Sequence, residues 1–233
     1  MNTYNKTARL AGFFYLIVVL TGIFSLMYVP SRLIVWENPS LTFQNISASK
    51  QLFRLSIACS MLCYIAFTLL PLTLYHLLKN VHENYARLMV ILALLSVPIS
   101  FINLQNKFSV LTIIKAADYL KIYSTEELQA QVMVLLNNYN TGILIAQVFW
   151  GLWLFPFGYL VYKSNFLPKI LGFFLMFGCF GYLINVFGRT ITPHFSDYII
   201  SGYITLPATV GEIGTGLWML MIGVRSHKVN STH

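Results

Sequence analysis

The side chain with the most chemical potential here is Glu212, in the run Pro207-Ala-Thr-Val-Gly211-Glu212-Ile-Gly214-Thr-Gly216-Leu-Trp218. The run is apolar and glycine-rich, and it stays apolar as far as Val224. A carboxylate set in hydrocarbon is costly, so it has to be paired or functional. Paired with a cation, Glu212 would stay ionised; alone in apolar surroundings, it could carry a proton. Arg32, Arg54 and Arg189 are candidate partners. Arg54 is the expected one, because its long side chain can reach either inward or to a water interface.

Other strongly polar residues sit inside apolar runs: Asn103, Asn106, Gln147, Asn185 and Arg189. With Glu212 and Arg54 they form the candidate ligand-binding set. Placed on their helices, they gather toward the outer side of the membrane, with Glu212 about 12 Å below the outer end of its helix at 1.5 Å per residue. The expectation is an outward-facing polar cavity for a small polar or ionic ligand, in a binding or transport-like protein. The competing reading is a non-catalytic subunit or scaffold in which the same groups only lock helices together. Interhelical polar pairs in membranes contribute about 0.6 kcal/mol on average.

The chain carries no motif of a known enzyme chemistry: no phosphate-binding loop, nucleophile elbow, H-E-x-x-H or C-x-x-C. Cys59, Cys63 and Cys179 lie in apolar runs and read as packing residues. His76, His82 and Glu83 cluster but supply too few ligands for a metal. Neither a catalytic residue, nor a metal, nor a cofactor is expected. The basic excess of +8 reads as loop charge setting orientation, not as a nucleic-acid surface.

These residues must be positioned by membrane helices. Of 233 residues, 57% are hydrophobic and only 9% charged, against roughly 25% charged in soluble domains. Mean hydropathy is +0.69. A spanning helix needs about 20 apolar residues, and six runs qualify: 8–28, 52–78, 85–104, 142–162, 167–187 and 204–224. The expected fold is all-α, a single polytopic domain over 1–233 with six crossings, since lipid forces backbone groups to pair within their own segment. Basic residues crowd the ends of the short loops, which places both termini inside. Ser124-Thr-Glu-Glu127 matches a capping box, so a short amphipathic helix is expected in the second outer loop, with Leu128, Val132 and Leu135 on one face. Pro71, Pro98 and Pro156 should kink spans two, three and four.

Several segments carry a family resemblance. They are Ala8-Arg9-Leu-Ala-Gly12, Ser31-Arg32-Leu-Ile34, Leu52-Phe-Arg54-Leu, Phe149-Trp-Gly151-Leu and Gly158-Tyr-Leu-Val-Tyr162. The most specific is Leu167-Pro168-Lys169-Ile-Leu171-Gly172 with Gly181-Tyr182-Leu, and the set closes on Pro207, Gly211-Glu212 and Leu217-Trp218. In these the chain resembles the bacterial multi-pass membrane family known as domain of unknown function 4386. The resemblance implies a helical protein of the bacterial cytoplasmic membrane and supplies no activity or site residue. Trp153 and Asn185 stand where a His and an acid are expected in relatives, which argues against a metal- or proton-linked role at those positions.

Overall fold

The apolar runs become helices. The computed structural model describes residues 3–115 and 118–224. Among them every regular element is helical: α1 (Thr3–Ile23), a π-turn (Phe24–Tyr28), α2 (Val29–Leu33), α3 (Pro39–Ala48), α4 (Lys50–Leu78), α5 (Glu83–Ile114), α6 (Thr125–Leu152), α7 (Leu154–Lys163), α8 (Lys169–Ile191), α9 (Ile199–Tyr203) and α10 (Leu206–Met221), with single 3₁₀ turns between some. Five stretches are long and apolar enough to cross a membrane: Tyr4–Leu33, Lys50–Leu78, Glu83–Ile114, Thr125–Lys163 and Lys169–Ile191. The protein is therefore a membrane protein with transmembrane helices.

The sixth expected span is shorter than its apolar run. Pro207 stands at the start of α10, where its missing N–H costs nothing. From there α10 has 16 residues, about 24 Å at 1.5 Å each, against about 30 Å of hydrocarbon.

Two boundaries differ from the sequence reading for physical reasons. The capping box forms: Ser124 N–H donates to Glu127 Oε2 at 2.7 Å, and Glu127 N–H donates to Ser124 Oγ at 3.2 Å. Yet the helix it opens is not a short surface helix. Nothing in Asn137-Asn-Tyr-Asn-Thr141 breaks it, and α6 runs unbroken for 28 residues. Likewise α5 continues ten residues past Leu104, to Ile114. Of the three prolines, Pro156 leaves a break. α6 ends at Leu152, four residues earlier, where the proline ring removes the donor and crowds the carbonyl. Pro71 and Pro98 lie within continuous helices. The charges Arg225 and Lys228, counted toward orientation, lie outside the described residues.

The chain divides into two compact units. The first holds residues 1–16, 66–96 and 147–233. Within it, α1 and α10 pair antiparallel. Asn5 Oδ1 accepts from Val224 N–H at 2.9 Å. A Cβ on Gly12 would lie 2.8 Å from Gly216 O, and one on Gly216 would lie 2.9 Å from Tyr15 Cβ. Low residue numbers on one helix thus meet high ones on the other. α7 and α8 meet as closely, since a Cβ on Gly158 or on Gly172 would come 2.6 Å from the other's carbonyl oxygen. Without a hydrophobic drive between helices in lipid, such small-residue contact supplies the packing.

The second unit holds residues 17–65 and 97–146. Its main core joins Val29, Leu33, Ile46, Phe53, Ile57, Val110, Val132 and Leu136. A smaller cluster joins Cys63, Tyr64, Leu104 and Tyr139. Asn38 caps α3, its Oδ1 accepting from Leu41 N–H at 2.9 Å.

Candidate functional site

Glu212 lies in the first unit, partly buried on α10. The glycine contact between α1 and α10 decides what reaches it. Because Gly216 lacks a side chain, the Tyr15 ring packs against α10, and the Tyr15 hydroxyl, one turn away, donates to Glu212 Oε1 at 3.3 Å. Tyr15 is buried, with 2% of its surface exposed. Its ring stands beside Trp153 and Phe157, with centroids at 6.4 Å from each. Trp153 and Phe157 stack at 5.1 Å, and Phe67 meets Trp153 edge-on at 5.3 Å. The Tyr15 ring therefore belongs to an aromatic cluster built by α1, α4 and the segment around the Pro156 break.

Arg54, the expected partner of Glu212, belongs to the other unit. Arg54 is exposed in the second unit, and among the described residues no ion pair involves either Arg54 or Glu212. A lysine or arginine has a strong reason to stay outside, because its head can remain hydrated while its stem covers apolar surface. The other described cations of the first unit, Lys6, Arg9, Lys79, Arg87, Lys163, Lys169 and Arg189, are exposed as well. A neutral hydroxyl, not a cation, meets the carboxylate.

Two buried donors of the first unit are unused among the described residues. Among buried side-chain polar atoms, Trp153 Nε1 and Thr215 Oγ1 have no hydrogen-bond partner. Thr215 is fully buried, one turn along α10 from Glu212. Buried polar atoms without partners are rare and costly.

The remaining predicted residues fall into two separate groups. In the first unit, Arg189 Nε donates to Asn185 Oδ1 at 3.1 Å, and Asn185 Nδ2 donates to Gln147 Oε1 at 3.2 Å. In the second unit, Asn103 Nδ2 donates to Tyr139 O at 2.8 Å, and Asn106 Nδ2 donates to Asn103 Oδ1 at 3.0 Å. Gly142 makes room for Asn103, whose amide nitrogen would lie 2.6 Å from a Cβ there.

Sequence reasoning passed over Tyr15 and Lys107 as site residues, and it read Trp153 only as a departure from the family pattern. Tyr15 had one readable signal: it stands a turn after Gly12, as Glu212 stands a turn before Gly216. Lys107 lies on α5, three residues beyond the expected end of its span at 104, with 3% of its surface exposed.

A family model matches residues 10–223 and is described as a domain of unknown function, DUF4386. The chain belongs to this family. The match takes in Tyr15, Arg54, Asn103, Asn106, Lys107, Gln147, Trp153, Asn185, Arg189 and Glu212. A curated relative from Archaeoglobus fulgidus, described only as an uncharacterized protein, is 33% identical over 88 residues, 38% of this chain and 50% of its own length. The alignment thus spans half the length of that relative. No solved structure matches.

Proposed function

We propose that this is a binding or transport-like protein of the cytoplasmic membrane, with Glu212 as the charged anchor for a small polar or ionic ligand. One observation carries the reading. Among the described residues, Glu212 is a partly buried carboxylate whose one hydrogen bond comes from a neutral hydroxyl, while buried donors at Trp153 and Thr215 have no partner. A carboxylate so placed costs stability unless something else uses it. Its negative charge suits a small cation such as a primary ammonium, which donates hydrogen bonds to the carboxylate.

In this reading α10 is the sixth crossing and both termini lie inside. Support comes from the antiparallel pairing of α1 with α10, which gives an even number of crossings, and from Asn5 Oδ1 accepting from Val224 N–H.

A second reading is favoured for part of the predicted set. Arg189, Asn185 and Gln147 satisfy one another, as do Asn106, Asn103 and the Tyr139 carbonyl. Groups with their bonds already made serve as internal glue. The scaffold role thus belongs to these two groups and the binding role to Glu212. The two are told apart by comparing Glu212→Gln with Gln147→Leu in purified protein. The first should melt near the wild type and lose stabilisation by methylammonium. The second should melt lower and keep it. A Glu212→Gln variant that still responds to methylammonium sinks the binding reading.

A further inference from the structure

We infer that Lys107 anchors a second site, in the second unit, for one anionic group of the carboxylate or phosphate class. Lys107 sits in α5, within a stretch apolar enough to span a membrane. A lysine there would ordinarily snorkel to water. This one does not: it is 97% buried, while the other described cations of its unit, Arg32, Lys50, Arg54, Lys115 and Lys121, are all exposed.

Its surroundings explain what draws it in. The π-turn passes Val29 N–H to Phe24 O. The next residue, Pro30, has no N–H to give. Ser25 O thereby loses its backbone donor, and Lys107 Nζ supplies one at 3.4 Å. The ammonium also stands 4.3 Å from the centroid of the Tyr139 ring. Tyr139 is held from its own backbone, where its carbonyl accepts from Asn103, and at its hydroxyl, 3.5 Å from that of Tyr64. The ammonium is thus fixed by a carbonyl and a ring, both neutral.

The positive charge itself is unanswered. The described acids of this unit are engaged elsewhere or lie at the surface: Asp118 pairs with Lys121, Glu127 closes the cap of α6, and Glu37 and Glu126 are exposed. An ammonium has three donors. The carbonyl takes one and the ring face engages another, which leaves one N–H and a full charge for an oxyanion. The chemistry is shared by a free carboxylate or phosphate and by the phosphodiester of an anionic lipid. This site is independent of Glu212 and stands or falls separately.

The test is the thermal midpoint of the full chain in neutral detergent. The probes are sodium acetate, sodium phosphate, and phosphatidylglycerol added against phosphatidylcholine, with sodium chloride at matched ionic strength as the control. A rise is expected with at least one probe. A rise with phosphatidylglycerol alone assigns a lipid; a rise with acetate or phosphate assigns a free anion. Lys107→Met should abolish the rise and Lys50→Met, at an exposed position, should keep it. If Lys107→Met does not fold, Lys107→Arg stands in. Its broader guanidinium should shift half-saturation by about tenfold, the scale of one charged hydrogen bond. No rise with any probe in the wild type overturns the proposal. So does a rise unchanged in whichever Lys107 variant folds.

Discussion

The hydroxyl of Tyr15 lies 3.3 Å from Glu212 Oε1, although the two residues are 197 positions apart. One comes from the first helix and the other from the last, joined by the contact at Gly12 and Gly216. The distance is long for an O–H···O bond, which falls mostly between about 2.5 and 3.0 Å. It is therefore a modest lock, and it leaves the carboxylate with unused acceptor capacity.

A double-mutant cycle should reflect that. Tyr15→Phe and Glu212→Gln, measured singly and together by thermal or denaturant unfolding in detergent, should couple by about 0.6 kcal/mol and no more than about 1.7. A coupling of several kcal/mol would make the pair a principal structural element.

The α7–α8 contact should matter far more. A methyl on Gly172 would meet Gly158 O at 2.6 Å and Tyr162 N at 2.8 Å, both backbone atoms that cannot swing away. Gly172→Ala should cost about 1–3 kcal/mol, the range of overpacking. Gly202→Ala, where nothing lies within 4 Å, should be near neutral. Folded yield and unfolding midpoint check both.

How far the sequence could be read follows from these contacts. Helix existence was legible because 20 apolar residues in lipid have one stable form. The cap at Ser124 and Glu127 was legible because it is local. The continuity of α6 was not, since Asn137 to Asn140 interrupt the apolar pattern while asparagine lowers helix stability only slightly. The burial of Lys107 was not legible either: where a polar helix end stops is set by partners such as Ser25 O, 82 positions away. Arg54 is exposed in the second unit, since a hydrated arginine gains little by leaving water. Hydrogen bonds between neighbouring polar side chains, such as Asn185 with Gln147, depend on helix rotation, which composition does not encode.

Asn185 is the centre of a three-residue relay, so removing it strands groups on both sides. Asn185→Leu should leave Gln147 and Arg189 without their partners and lower stability by about 1–3 kcal/mol. Arg189 is exposed and can turn to water, so Arg189→Gln should have a smaller effect. Unfolding of the two variants side by side gives the comparison.

Antiparallel pairing of α1 and α10 predicts sidedness. In a background with Cys59, Cys63 and Cys179 replaced by alanine, cysteines at Tyr4 and Ile222 should label from the same side of the membrane. A cysteine at Lys121 should label from the opposite side, the outer one. Labelling of Tyr4 and Ile222 from opposite sides would remove α10 as a crossing.

The central claim is that Glu212 is a ligand anchor and not only part of the helix packing. Its most direct test is the thermal midpoint of the purified chain titrated with methylammonium chloride against sodium chloride at equal ionic strength. Saturable stabilisation of the wild type is predicted, lost in Glu212→Gln and retained in Gln147→Leu. Equal response to both salts, or stabilisation that survives in Glu212→Gln, would contradict it.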